Sequence, residues 1–166
     1  MPEFLYTLLA DQDDVFDGMF QGHLDVTGIS GKATSRNPRK PDDGMGIILF
    51  PALVELLDGV SELLQHGRGT FKCSETIGLP LKFKLKDERM TISHRWTVID
   101  ESSPHSTAAA LWSAAQQLTG SLLGRVTEPT GHTETAADGT VRYIDFRVQV
   151  KESLARFEEA KEQIRY

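Results

Sequence analysis

The chain has one cysteine in 166 residues, which excludes an intrachain disulfide framework. It also lacks an apolar run long enough for a bilayer. The longest, Ile47 to Val54, holds eight residues and contains Pro51, where a spanning helix needs roughly 20. Met1-Pro2-Glu3-Phe4 is without the basic start of a secretory signal, and Asp11 cuts short the apolar stretch behind it. The expectation is a cytoplasmic protein with no membrane partner. Catalytic signatures are missing as well: HExxH, GxSxG, the Walker glycine-lysine loop and a paired CxxC do not occur. Gly44-Met45-Gly46 begins like a dinucleotide fingerprint, but Leu49 stands where the third glycine belongs, so it reads as the end of a flexible loop. None of His23, His66, His94, His105 and His132 lies three or four residues from another, so no local metal pair exists. No cofactor or metal is expected, and there is no internal repeat.

Basic residues are missing from the first 31 positions, which carry six carboxylates, among them Asp11, Asp13, Asp14 and Asp17. The next nine reverse the sign, with Lys32, Arg36, Arg39 and Lys40 and no acid. The whole chain is net −6, a balance that repels phosphate backbones and argues against a nucleic-acid partner unless a basic face is concentrated somewhere. An acidic segment followed by a basic one suits a protein partner, because opposite potentials steer encounter and orientation. The plainer account of the acids is solubility. Asp11, Asp13, Asp14, Asp17, Lys32, Arg36, Arg39 and Lys40 are the candidate partner-binding residues. A homo-oligomer is compatible with the same layout.

What is present is an ordinary globular composition, 39% hydrophobic and 25% charged, enough for one domain over residues 1–166 with one core. Phe4 to Leu9 reads as a strand and turn, and Leu24 and Val26 alternate with Asp25 and Thr27 in a second, glycine-bent strand. Breakers from about 30 to 46 mark a long loop. Leu53, Leu56, Leu57, Val60, Leu63 and Leu64 recur at helical steps after Phe50-Pro51, with Pro51 at the first helical position and Gly67 beyond the end. Gly59 weakens that helix by about 1 kcal/mol relative to alanine, a loss explained if a strand must approach closely.

A strand over Thr70 to Thr76 comes next. Leu79, Leu81, Phe83 and Leu85 then alternate with Pro80 and three lysines, and Met90, Ile92, His94, Trp96 and Val98 alternate with polar residues. A turn at Asp87-Glu88 pairs Leu85 with Met90, Phe83 with Ile92, Leu81 with His94 and Leu79 with Trp96, all on one buried face. Lys82, Lys84, Lys86, Arg89 and Arg95 share the other face. Leu111, Ala115, Leu118 and Leu122 form the stripe of a second helix. A second long loop covers about 125 to 140. Ile144, Phe146, Val148 and Val150 read as a last inward-facing strand, and Ser153 to Tyr166 as a last helix with a Glu152–Arg156 pair. The order ββαβββαβα predicts an α+β fold: a mainly antiparallel sheet of about six strands with helices packed on one face.

Two side chains have chemistry to weigh. His94, on the apolar face, is a satisfied core histidine or a ligand-binding residue, and burial should hold it neutral. Cys73 reads as a small buried hydrophobe rather than a nucleophile.

The bent N-terminal hairpin, the Leu53-Val54-Glu55-Leu56-Leu57-Asp58-Gly59 helix and the Leu81-Lys82-Phe83 hairpin together resemble the layout of immunity proteins of bacterial toxin–immunity systems. The resemblance implies a non-enzymatic inhibitor that neutralises a cognate toxin by direct binding, the partner then being a basic toxin domain. The alternative is a small enzyme or ligand carrier with an apolar pocket near His94, lidded by the two long loops.

Overall fold

The computed structural model describes residues 1–37, 46–128 and 131–164. Every strand pairing among them is antiparallel, and the class is α+β. Strand β1 (Glu3–Leu8) pairs with β2 (Gln21–Thr27), placing Phe4 opposite Val26. Two short strands, β3 (Lys32–Thr34) and β4 (Ile47–Ile48), add to β2. The segment expected as loop from 30 to 46 thus begins with a strand, because the polar stretch after Gly31 pairs its backbone with Asp25, Val26 and Thr27.

Helix α1 (Leu49–His66) starts two residues ahead of the expected Pro51, with Leu49 N–H donating to the Phe20 carbonyl at 2.9 Å. It ends as expected, with Gly67 at φ 70° donating to Leu63 O. Four strands follow as a meander: β5 (Gly69–Lys72), β6 (Leu81–Lys86), β7 (Arg89–His94) and β8 (Thr97–Ser102). Leu85 faces Met90, Phe83 faces Ile92 and Leu81 faces His94, as the alternation predicts.

The expected Leu79–Trp96 pair does not form. The chain turns back at Arg95-Trp96, His94 pairs with Thr97, and Trp96 is 99% exposed while Phe83 is buried. Arg95, at φ 56°, supplies the left-handed residue that a two-residue turn requires.

Helix α2 (Pro104–Leu122) is capped by Ser103, whose side chain accepts from Ser106 N, and Pro104 takes the first position. Its stripe Leu111, Ala115, Leu118 and Leu122 is buried. Residues 125–140 are not all loop: β9 (Gly131–Thr135) and β10 (Val141–Asp145) make a separate hairpin. The last strand ends at Asp145, which caps α3 (Phe146–Glu162) by accepting from Arg147 N at 2.9 Å. Phe146 and Val150 are buried one helical turn apart, and Val148 between them is 53% exposed, which overturns their reading as a strand.

Among the described residues the strands therefore fall into three sheets, and one core joins two of them. Phe83 of the meander stacks on Phe4 of the first sheet at 6.4 Å and on Phe71 at 6.0 Å. α1 buries its leucine face there, with α3 along its side and Trp112 of α2 stacked on Phe157 of α3 at 6.1 Å. Among the described residues no helix is long and apolar enough to cross a membrane.

Candidate functional site

The β1–β2 connection carries Asp11, Asp13, Asp14 and Asp17, and it is fastened from several sides. Gln12 accepts from Gln21 N through its side chain at 3.1 Å and from Arg125 Nη2 through its carbonyl at 2.6 Å. The Phe16 carbonyl takes bonds from Thr127 N and Glu128 N at 3.0 and 3.1 Å. Arg125 also lies over the Phe20 ring, 5.0 Å from its centroid. Asp17 is spent locally, its carboxylate accepting from Met19 N at 3.0 Å. Asp11, Asp13 and Asp14 are exposed and make no ion pair among the described residues. After them the loop shows solvent two apolar side chains, Phe16 at 46% and Met19 at 38% exposure. Sequence reading took the acids and missed Phe16, because one aromatic among aspartates carries no periodic signal.

Lys32 and Arg36 do not join that loop. Lys32 pairs with Thr27 at the far end of β2, six residues and so about 20 Å from Gln21, where the acidic loop joins the strand. Arg39 and Lys40 lie outside the described residues. Lys32 and Arg36 instead help line a cleft of about 710 Å³ whose walls also include Asp25, Thr34, Ser35, Leu79, Pro80, His94 and Arg95. His94 is thus placed in a cavity wall with two of the candidate cations, alongside the apolar Ala33, Leu79 and Pro80. Arg36 Nε stands 3.6 Å from the Asp25 carboxylate. Burial, and then the charge of Arg95, holds the His94 imidazole below its ordinary pKa, so it enters the cleft wall as a neutral ring.

Behind Ser35 sits His23, 2% exposed, with Nδ1 3.2 Å from the Ser35 hydroxyl and Nε2 buried without a partner among the described residues. Its pKa is lowered by burial first and by Arg36 second, against an opposing pull from Asp25. Ser35 Oγ also accepts from Leu24 N at 2.9 Å. An orphan acceptor is tolerated in an interior better than an orphan N–H, which favours the proton on Nδ1 of His23. Ser35 Oγ then accepts twice and keeps its own proton to donate.

The lysines Lys82, Lys84 and Lys86 line the exposed face of β6, joined by Lys72 opposite Lys82. Arg89 is partly offset by Glu101 at 3.7 Å, and Arg95 leaves this face for the cleft. Cys73 is half-buried, and desolvation, with Glu55 nearby, pushes its thiol up to about 12, far from a reactive thiolate. Among the described residues no group of three or more His, Cys, Asp and Glu is placed to hold a metal ion. No protein family, curated protein or solved structure matches the chain.

Proposed function

We propose that this chain is a non-enzymatic binding protein that holds a basic protein partner through its β1–β2 loop. The observation that carries the reading is the combination, in one fastened loop, of exposed carboxylates on Asp11, Asp13 and Asp14, without an ion pair among the described residues, with the exposed ring of Phe16. Carboxylates around an aromatic anchor have the anatomy of an interface, with charge for steering and one apolar residue for residence time. Ordering the loop in advance lowers the entropy lost on docking. In its specific form the proposal is an immunity protein neutralising a cognate toxin, and this form rests on the layout of hairpin, helix and hairpin together with the acidic loop.

The test is capture from lysate of the native host on two columns, one bearing the chain as it is and one bearing Asp11→Lys/Asp13→Lys/Asp14→Lys. The expected result is a basic protein retained by the first column and lost from the second. With the purified partner, the triple variant slows association and flattens its salt dependence, and Phe16→Ala speeds dissociation about tenfold. Asp17 is left alone because its carboxylate holds Met19 N. Retention of the same proteins by both columns overturns the reading.

A further inference from the structure

The docking loop makes no use of the cleft at the other end of β2, yet that cleft is furnished for a ligand of definite chemistry. Its volume of about 710 Å³ falls in the range of sites that enclose a small organic molecule, roughly 300–1,000 Å³. Three cations line it, Lys32, Arg36 and Arg95, against one carboxylate, Asp25, which faces Arg36. Lys32 and Arg95 have no acidic partner among the described residues. The surplus of positive charge matches a phosphate group, the anion that guanidinium and ammonium side chains jointly recognise. Ser35 lines the cleft, and its hydroxyl, which accepts from Leu24 N, is a donor suited to a phosphate oxygen.

The second feature is Trp96. It follows Arg95 in the β7–β8 turn and is 99% exposed, with no burial to account for so large an apolar ring. An indole free on both faces, next in the chain after the cleft residue Arg95, is a stacking platform. We propose that the cleft binds a small phosphorylated ligand bearing a flat ring, of the nucleoside phosphate class. Its phosphate lies against Lys32, Arg36, Arg95 and Ser35, and its ring lies on Trp96.

Trp112→Phe leaves Trp96 as the one tryptophan while keeping an aromatic ring for the stack on Phe157. Titrating this chain with ADP should quench Trp96 saturably at one ligand per chain, and inorganic pyrophosphate should displace the ADP. Lys32→Ala and Arg95→Gly should each weaken ADP about tenfold by calorimetry. Glycine suits the φ of 56° at position 95, so that variant removes the guanidinium without straining the turn. Trp96→Ala should weaken ADP and leave pyrophosphate unchanged. The triple aspartate variant of the β1–β2 loop should bind ADP normally, which keeps this result separate from the docking proposal. Three outcomes overturn the assignment: neither ADP nor pyrophosphate binds at millimolar concentration, the cleft variants bind as the parent does, or only single-stranded oligonucleotides bind and tighten with length.

Discussion

Gly59 of α1 lies directly against the ring of Phe71 in β5: a Cβ built on the glycine would stand 2.3 Å from two of the ring carbons. The close approach expected from a glycine inside a leucine-rich helix is therefore present, and Phe71 is itself backed by Phe83 at 6.0 Å. Gly59→Ala gains about 1 kcal/mol of helix propensity but forces the stacked ring to move, an overpacking cost of about 1–3 kcal/mol. Net destabilisation is expected in urea melts. In the Phe71→Leu background the same substitution should recover the helix gain. Stabilisation by Gly59→Ala in the unaltered chain would show that the ring gives way freely.

Ser153 of α3 is fully buried and donates to Asp58 Oδ1 of α1 at 2.9 Å, and Arg156 Nη2 reaches both oxygens of the same carboxylate at 3.0 and 3.1 Å. Arg156 thus bridges helices where the spacing of α3 alone pairs it with Glu152. Ser153→Ala removes a buried donor from a charged acceptor and should cost about 1–2 kcal/mol. Glu152→Ala should stay within about 0.5 kcal/mol of the parent. Equal losses in the two chemical melts would restore the intrahelical pair.

The β6–β7 turn places Asp87 at φ 51° and Glu88 at φ 60°, both in the left-handed region, and closes on Lys86 opposite Arg89. Two positive-φ residues in a two-residue loop are the arrangement that Asn-Gly serves best. Glutamate there carries a Cβ penalty of about 1 kcal/mol that glycine escapes. Glu88→Gly, alone or with Asp87→Asn, should raise the melting temperature by a few degrees, on the order of 1 kcal/mol. A lower melting temperature would mean that the side chain of Glu88 contributes more than its backbone costs.

The register of β6 on β7 is legible because both strands alternate with period two and Phe83, Leu85, Met90 and Ile92 must share one face. The following turn is not. Trp96 and Val98 continue the alternation that Met90 begins, and a two-residue turn without glycine leaves that parity undisturbed. The same ambiguity hides the start of α3. Phe146 and Val150 satisfy both period two and a spacing of four, and the decision falls to Asp145, whose side chain caps the helix. The pocket near His94 is legible in the sequence, but its cations are not, for another reason: Lys32 and Arg36 meet Arg95 only after the first sheet folds over the meander, and the loop from Gly28 to Ser30 bonds to β8 through Asp100 Oδ1 and the Ile99 carbonyl.

His23 and His94 give the fold a defined response to acid. Both are held below the ordinary histidine value of 6.5, chiefly by burial, with Arg36 adding to the effect at His23 and Arg95 at His94. As pH falls through that value the unfolded chain takes up protons while the folded chain does not, so the unfolded state gains and stability declines. The decline begins near pH 6.5 and ends once the depressed values are passed and folded chains titrate too. Melting temperatures measured from pH 7.5 down to 5 should therefore drop, in the direction opposite to that of a histidine held charged by a carboxylate. His23→Asn preserves an atom able to meet the Ser35 hydroxyl where Nδ1 does now, and His94→Gln keeps a neutral polar group at the cleft. The double variant should be flatter across the upper part of this window than the parent, leaving the carboxylates to dominate only at lower pH. A parent whose melting temperature is constant between pH 7 and 6, or rises there, would contradict the burial of these two rings.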